Sequence, residues 1–407
     1  MPADVNAPAD PHAGEPAIRP ETRAMIERLI AFDTTSRNSN LDLIHDVRDY
    51  LAGLGVRASL VHDPEGRKAN LYATLGPEDR GGIALSGHTD VVPIDDQDWS
   101  VDPWQVSEAG GRLYGRGTTD MKSFLAVALA YAPRFLAGEM KTPIHLCLSY
   151  DEEVGCRGVP ALISFLAEQP VRPKLCIVGE PTEMKVVTAH KGKLSIACQV
   201  RGKEAHSSLA PHGVNAVQAA ARVIARLTEM AEEKAQEGPF DSDYDVPYTT
   251  IHTGVIHGGT QLNIVPGHCR FEFEFRHLPE DSPQALLAAV KRYAAEELAP
   301  AMQAVDPGSG FAWEEVSSFP GLNLAPDAEV VDLAKALSGG NATGKVAFGT
   351  EAGLFDAGGI PAVVCGPGSI DQAHKPDEFV TLEQIALCER FMERLEARVR
   401  QGEPADA

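Results

Sequence analysis

The sequence is short of positive charge, and it has no CxxC pair, no long apolar run and no GxGxxG spacing after a strand-like segment. Its 36 Lys and Arg face 58 Asp and Glu, a formal charge of −22. A surface this acidic repels phosphate backbones and anionic membranes, so nucleic-acid binding is the first function class to drop. Seven cysteines, at 147, 156, 176, 198, 269, 365 and 388, form no dense framework; a disulfide-stapled scaffold is excluded and a reducing compartment is expected. No window approaches the roughly 20 consecutive apolar residues of a membrane helix. The first twenty residues hold five prolines and no signal-peptide core, so residues 1–20 read as a disordered leader and the protein as cytoplasmic, without membrane partners. The missing glycine spacing leaves a dinucleotide fingerprint unsupported.

What is present fits a globular protein. The 407 residues suggest two or three domains at roughly 150 residues each, and 43% apolar with 23% charged residues is ordinary for soluble domains. Leu41, Ile44, Val47, Leu51 and Leu54 recur at helical spacing before Gly55. Short apolar runs at Ile83 to Ser86, Ile144 to Ser149, Leu175 to Val178 and Ala362 to Cys365 read as strands covered on both faces, with a helix at Ser123 to Leu136. The expected fold class is α/β, a mixed, mostly parallel sheet flanked by helices.

One block, from about Lys191 to Pro320, has a different texture and reads strand, helix, strand, strand, helix, strand. In Arg270-Phe271-Glu272-Phe273-Glu274-Phe275-Arg276, three phenylalanines fall on one face and four charges on the other. With helices at Asn215 to Glu233 and Pro283 to Leu298, this predicts an inserted α+β ferredoxin-like domain, a four-stranded antiparallel sheet under two helices. The expected division is 21–190 with 321–407 as one discontinuous domain, and 191–320 as the insertion.

Open α/β sheets bind ligands beyond the carboxyl ends of their strands. There the sequence places carboxylates and histidines: Gly87-His88-Thr89-Asp90, Asp151-Glu152-Glu153, Gly179-Glu180-Pro181, and a glycine-rich loop ending at His374. Asp120 adds another, in a turn before a helix. Like charges gathered at one sheet edge are costly unless a cation neutralises them, and nitrogen and oxygen donors without cysteine suit a catalytic zinc-type site. A two-metal hydrolase needs a bridging carboxylate, a histidine and an acid for each metal, and one free carboxylate to take a proton from water. Adjacent Glu152 and Glu153 can split ligation and proton transfer between them.

At these residues the chain resembles the two-zinc aminoacylase and carboxypeptidase family, with a zinc-exopeptidase-like fold, over nearly its whole length after the leader. The resembling segments are Ser86-Gly87-His88-Thr89-Asp90-Val91-Val92-Pro93, Gly115-Arg116-Gly117-Thr118-Thr119-Asp120-Met121-Lys122, Asp151-Glu152-Glu153, Gly179-Glu180-Pro181-Thr182 and Ala373-His374-Lys375-Pro376-Asp377-Glu378. The resemblance implies two divalent metals per subunit, zinc before cobalt, bridged by Asp120. It puts His88 and Glu180 on one metal, Glu153 and His374 on the other, and makes Glu152 the general base and acid. It also implies that Asp90 holds the His88 imidazole through its second nitrogen, and that the Asp120–Met121 peptide is cis. In the insertion, a lid and dimerisation domain in the family, His206 is implied to reach the partner's site in a homodimer and stabilise the oxyanion. Asn263 and Arg276 match substrate-holding positions; Arg276 also reads as a cross-strand ion pair with Glu272 or Glu274.

Members that deacetylate N-acetyl-L-ornithine are nearest, on Phe348-Gly349-Thr350-Glu351-Ala352-Gly353, Cys365-Gly366-Pro367-Gly368 and Ser318-Phe319-Pro320-Gly321-Leu322. Thr350 and Glu351 are accordingly substrate-binding candidates, Glu351 for a side-chain ammonium or, alternatively, as a local structural carboxylate. The expected substrate is a small N-acyl amino acid. A broader N-acyl-amino-acid hydrolase, a succinyl-diaminopimelate desuccinylase, and a non-catalytic metal or acyl-amino-acid binding protein are the alternatives.

Overall fold

The structure, a computed structural model, describes residues 18–401. Most of the expected leader, residues 1–17, lies outside them; its last residue, Pro20, already starts a helix, and the Arg19 amide donates to Glu389. The chain runs through α1 (Pro20–Ile30), α2 (Leu41–Gly53), β1 (Ala58–His62), β2 (Ala69–Leu75), β3 (Ile83–His88), β4 (Ser107–Ala109), β5 (Arg112–Tyr114), α3 (Lys122–Leu136), β6 (Ile144–Ser149), α4 (Val159–Ala167), β7 (Leu175–Pro181) and β8 (Val186–His190). It then builds β9 (Gly192–Arg201), α5 (Ala216–Glu237), β10 (Thr250–Gly258), β11 (His268–His277), α6 (Pro283–Tyr293), α7 (Ala299–Val305) and β12 (Gly310–Phe319). The return leg is β13 (Leu322–Asn323), α8 (Glu329–Ser338), β14 (Thr343–Val346), α9 (Ala352–Ala357), β15 (Ala362–Gly366), β16 (Phe379–Thr381) and α10 (Leu382–Gln401).

The large sheet has the order β1-β2-β6-β3-β7-β15-β8-β13, with β14 paired to β8. Its four central strands, β6, β3, β7 and β15, are mutually parallel and buried at every residue. Alternation sorts their side chains. Leu85, Leu146, Ile177 and Val363 pack in the core beneath α1, α3, α8 and α10, whereas Ala84, Cys147, Cys176 and Val364 pack with α4 and α9. Both faces are therefore covered, as the continuous apolar runs require. The antiparallel members, β1, β2, β8 and β13, sit toward the edges. All seven cysteines are unpaired. Among the described residues no helix is long and apolar enough to cross a membrane.

The second sheet, β10-β11-β9-β12, is antiparallel throughout. Phe271, Phe273 and Phe275 point into a core with Leu194, Ile196 and Cys198 and with Ala220, Val223 and Leu227 of α5. Its second helix does not run straight to Leu298. Residues Ala294–Leu298 form a turn of π-helix that joins α6 to α7, with Pro300 at the start of α7. At the foot of this unit Leu322 pairs with His190, so the chain leaves and re-enters the large sheet between adjacent strands. A third sheet, β16-β5-β4, is small and joins the Gly115–Asp120 turn to the His374 loop.

His145, in β6, shows what burial demands of a titratable group. Its ring stacks on Tyr72, whose hydroxyl lies 2.9 Å from Nδ1, and burial pushes its pKa down to about 4. The unfolded imidazole titrates near 6.5. The stabilisation from keeping it neutral is thus complete above about pH 6.5 and is lost as pH falls toward 4, about 3 kcal/mol in all. His145→Gln is expected to flatten the fall of the urea midpoint between pH 6.5 and 4; parallel curves for the two proteins would contradict this.

Candidate metal centre

The parallel strands end at one edge, and the groups carried there converge. His88 closes β3, Glu152 and Glu153 follow β6 in a tight turn, and Glu180 lies near the end of β7. Asp120 comes from the turn before α3, with a cis peptide to Met121, and His374 from the loop between β15 and β16. Gly179 and Gly366 permit this convergence: a side chain at Gly179 would run into the Phe124 ring, and one at Gly366 into the Gly179 carbonyl.

Asp120 lies between two half-sets. Its Oδ1 is 3.0 Å from His88 Nε2, which is 3.8 Å from Glu180 Oε1. Its Oδ2 is 3.3 Å from His374 Nε2, which is 3.0 Å from Glu153 Oε2. Candidate ligand atoms of His88, Asp120 and Glu153 lie within 4.8 Å of one another, as do those of His88, Glu152 and Glu180. Glu152 therefore stands beside the His88 half as an additional carboxylate. Cys156 Sγ, 3.2 Å away, donates to its Oε1; burial holds that thiol well above its ordinary pKa, so it is no thiolate ligand.

The electrostatics follow from packing acids together out of water. Burial first, then neighbouring carboxylates, raise Glu152, Glu153 and Glu180 above the ordinary range, against the opposing pull of His88. Burial also works to raise Asp120, but hydrogen bonds from His374 and His88 outweigh it and hold Asp120 low. Burial would lower His88; the Asp120 hydrogen bond and the charges of Glu180, Asp120 and Asp90 raise it instead. Hydrogen bonds to Asp120 and Glu153 raise His374 to about 10. Without a cation the cluster balances itself with protons. Imidazole and carboxylate donors without thiolate fit zinc or cobalt in a catalytic setting.

The other expected site residues fall elsewhere. Asp90 does not hold the imidazole through its carboxylate: His88 Nδ1 meets the Asp90 backbone carbonyl at 2.8 Å, with Oδ1 at 3.7 Å. The Asp90 carboxylate instead accepts the backbone amides of Glu152 and Glu153 and the Ser36 hydroxyl, fixing the turn that presents both glutamates. Thr350 and Glu351 have no exposed surface. The Thr350 hydroxyl accepts the Ala352 amide at the start of α9, and Glu351 is bound by Ser86 and Ser149 behind the cluster. That burial leaves Glu351 no face for a substrate ammonium and matches the structural alternative. Arg276 donates to Glu274 at 3.0 Å, its neighbour two residues back on the same face of β11 rather than a cross-strand partner. His206 and Asn263 are brought together on exposed loops, where the Ser207 amide donates to the Asn263 carbonyl. Among the described residues no hydrogen bond or ion pair joins His206, Asn263 or Arg276 to the cluster. Gln97, Arg116 and Glu378 received no role from the sequence, yet Gln97 donates to the His374 carbonyl, Glu378 accepts the Thr119 and Asp120 amides, and Arg116 donates to the side chains of both Gln97 and Glu378. Arg116 and Glu378 stand out only as charges inside otherwise recognisable motifs, and Gln97 carries no signal.

The profile of peptidase family M20/M25/M40 matches residues 84–397. The acetylornithine deacetylase of Myxococcus xanthus is 37% identical over 383 residues, 92% of this chain and 96% of that protein. The acetylornithine deacetylase of Pasteurella multocida is 33% identical over 384 residues, 92% and 97% respectively. Among solved structures, the M20 family metallo-carboxypeptidase Sso-CP2 from Sulfolobus solfataricus gives a TM-score of 0.73 at 18% identity, covering 93% of this chain and 99% of that one. Aminopeptidase PepT from Bacillus cereus gives 0.66 at 21% identity, with 93% and 98% covered. The two-sheet architecture is thus shared.

Because the raised groups hold protons near neutral pH, a divalent ion must displace them to bind. Metal-stripped protein is expected to release protons on taking up zinc at pH 7, and its apparent affinity to fall as pH is lowered from about 8 to about 6. Calorimetry in buffers of different ionisation enthalpy reads the release; a heat independent of buffer would refute it.

Proposed function

The chain belongs to peptidase family M20/M25/M40, and on that footing we propose that it hydrolyses N-acetyl-L-ornithine to L-ornithine and acetate with two divalent metals. The observation that carries this reading is Glu152, a half-buried carboxylate beside the His88 and Glu180 half-set and additional to the Asp120, Glu153 and His374 donors. The acetylornithine deacetylases at 33–37% identity support the substrate. His88, Asp120 and Glu180 would hold one ion and His374, Asp120 and Glu153 the other, zinc before cobalt. Bound there, the ions supply Lewis acidity for the acyl carbonyl and make the attacking water more acidic.

The protein's own groups do the rest. With Oε1 engaged by Cys156, Glu152 has Oε2 free to take the proton from water as it attacks the acetyl carbon. Burial, which raises this carboxyl, lets it keep that proton until the departing amine nitrogen accepts it. Asp90 keeps Glu152 in line through the backbone amide. Residues 21–190 with 321–407 make the catalytic unit, and 191–320 the lid and dimerisation unit. In a homodimer formed through that unit, the partner subunit's His206 would face the oxyanion, with Asn263 and Arg276 near the substrate.

The burial of Glu351 favours a second reading, a broader N-acyl-amino-acid hydrolase, since no acid is left displayed there for the ornithine ammonium. Turnover of acetylornithine, acetylmethionine and succinyl-diaminopimelate separates the readings: acetylornithine is expected to give the highest kcat/KM. Comparable kcat/KM for acetylmethionine would install the broader reading, and no metal-dependent hydrolysis of any would leave a binding protein. Glu152→Gln should keep both metals and lose about 10²- to 10⁴-fold in kcat. Near-normal turnover in that variant would remove Glu152 from the chemistry.

A further inference from the structure

Beside the cluster, a polar network with a buried centre joins the backbone at Asp120 to the backbone at His374. Arg116 and Glu378 are each only 1% exposed. Arg116 Nη1 donates to Glu378 Oε2 at 2.6 Å, and Glu378 Oε1 accepts the backbone amides of Thr119 and Asp120 at 2.9 and 3.1 Å. The other arm, Nη2, donates to Gln97 Oε1 at 2.6 Å, and Gln97 Nε2 donates to the His374 backbone carbonyl at 3.1 Å. Trp99 Nε1 also donates to Gln97 Oε1, at 3.1 Å, so two donors set the orientation of that amide. The guanidinium lies over the Trp99 ring, 5.0 Å from its centroid, a favourable cation–π contact. Below, β5 pairs with β16, and the Gly115 amide donates to the Glu378 carbonyl.

His374 makes this network matter. It holds φ at 62°, a left-handed conformation that a residue with a Cβ adopts at a cost, and its side chain is 52% exposed. Little packing therefore holds the imidazole, and the grip on its own peptide comes from Gln97. Asp120 is gripped at its amide by Glu378. The two arms meet at one planar cation whose Nη groups diverge, a geometry that the point charge of a lysine cannot reproduce.

We propose that Arg116 is a positioning residue for both metal positions, acting on Asp120 through Glu378 and on His374 through Gln97. The proposal rests on the two-metal reading above. It is specific about direction: cutting the Gln97 arm disturbs the His374 position and spares the His88 position, whereas replacing Arg116 disturbs both.

The test is zinc titration of the metal-stripped full-length protein against a chromophoric chelator, with thermal melts of the metal-free proteins run alongside. Gln97→Glu is the discriminating variant, since it still accepts from Arg116 and Trp99 but sets an oxygen against the His374 carbonyl. His374→Ala marks which binding constant belongs to the His374 position. Gln97→Glu is expected to weaken that constant about tenfold or more, within the range known for residues that orient metal ligands, and to leave the other unchanged. Arg116→Lys should weaken both, with the metal-free melting temperature of Gln97→Glu staying near wild type. Unchanged constants in Gln97→Glu, or equal weakening of both, overturn the proposal while the two-metal reading stands. Wild-type protein that binds fewer than two ions overturns that reading and the proposal with it.

Discussion

Asp120 and Glu180 are buried, with Glu152 and Glu153 half-buried beside them, and a group of anions drawn together out of water is the constraint around which the rest of the molecule is arranged. Each carboxylate loses hydration on entering the protein, and each raises the cost of ionising the next. His88 and His374 offset part of that cost, and protons offset more; two divalent ions would replace the protons. Such a cluster survives only on a frame that cannot relax to separate the charges. The four central strands supply it, packed on both faces and with no exposed residue along their length. Asp120 also sits at the N-terminal end of α3, where the helix dipole favours negative charge.

The donors come from five places in the chain, held by four devices. His88 and Glu180 are strand residues, fixed by the sheet ladder. The Glu152 and Glu153 turn is pinned by Asp90, Asp120 by the Glu378 carboxylate, and the peptide of His374 by Gln97. The excursion from Gly192 to Phe319 leaves and returns through the adjacent strands β8 and β13. A whole antiparallel unit is thereby added without crossing the cluster, and its exposed loop around His206 stays available for contact with another copy.

Features set by composition and period are legible in the sequence. Ile144 to Ser149 and Leu175 to Val178 have no polar residue to turn outward except His145 and Ser149, and the structure buries both with the rest. The Phe271, Phe273 and Phe275 alternation placed its strand and its core face. The sheet edges were less legible. β1, β2 and β8 are irregular in pattern, and β4, β5 and β16 are three residues or fewer of pairing, too short for any period. Within the site, ligand candidates were readable because His and Glu directly after an apolar run are chemically conspicuous. The residues that orient them were not, since their work is done on backbone groups: Asp90 takes amides, and Gln97 and Glu378 meet peptides that no side-chain pattern reveals. Glu351 is the converse case, where the sequence left two readings open. Its motif drew attention to it as a ligand for substrate, and only packing shows it sealed behind Ser86 and Ser149.

The proposed chemistry requires Asp120 to be shared by two ions, one in each half-set. Anomalous diffraction from crystals of the zinc-loaded protein, recorded on both sides of the zinc edge, tests it most directly. Two peaks are predicted, one on either side of Asp120, the first within about 2.2 Å of His88 and Glu180 donor atoms and the second within the same distance of Glu153 and His374. A single peak, or a pair that does not share Asp120, would contradict the account.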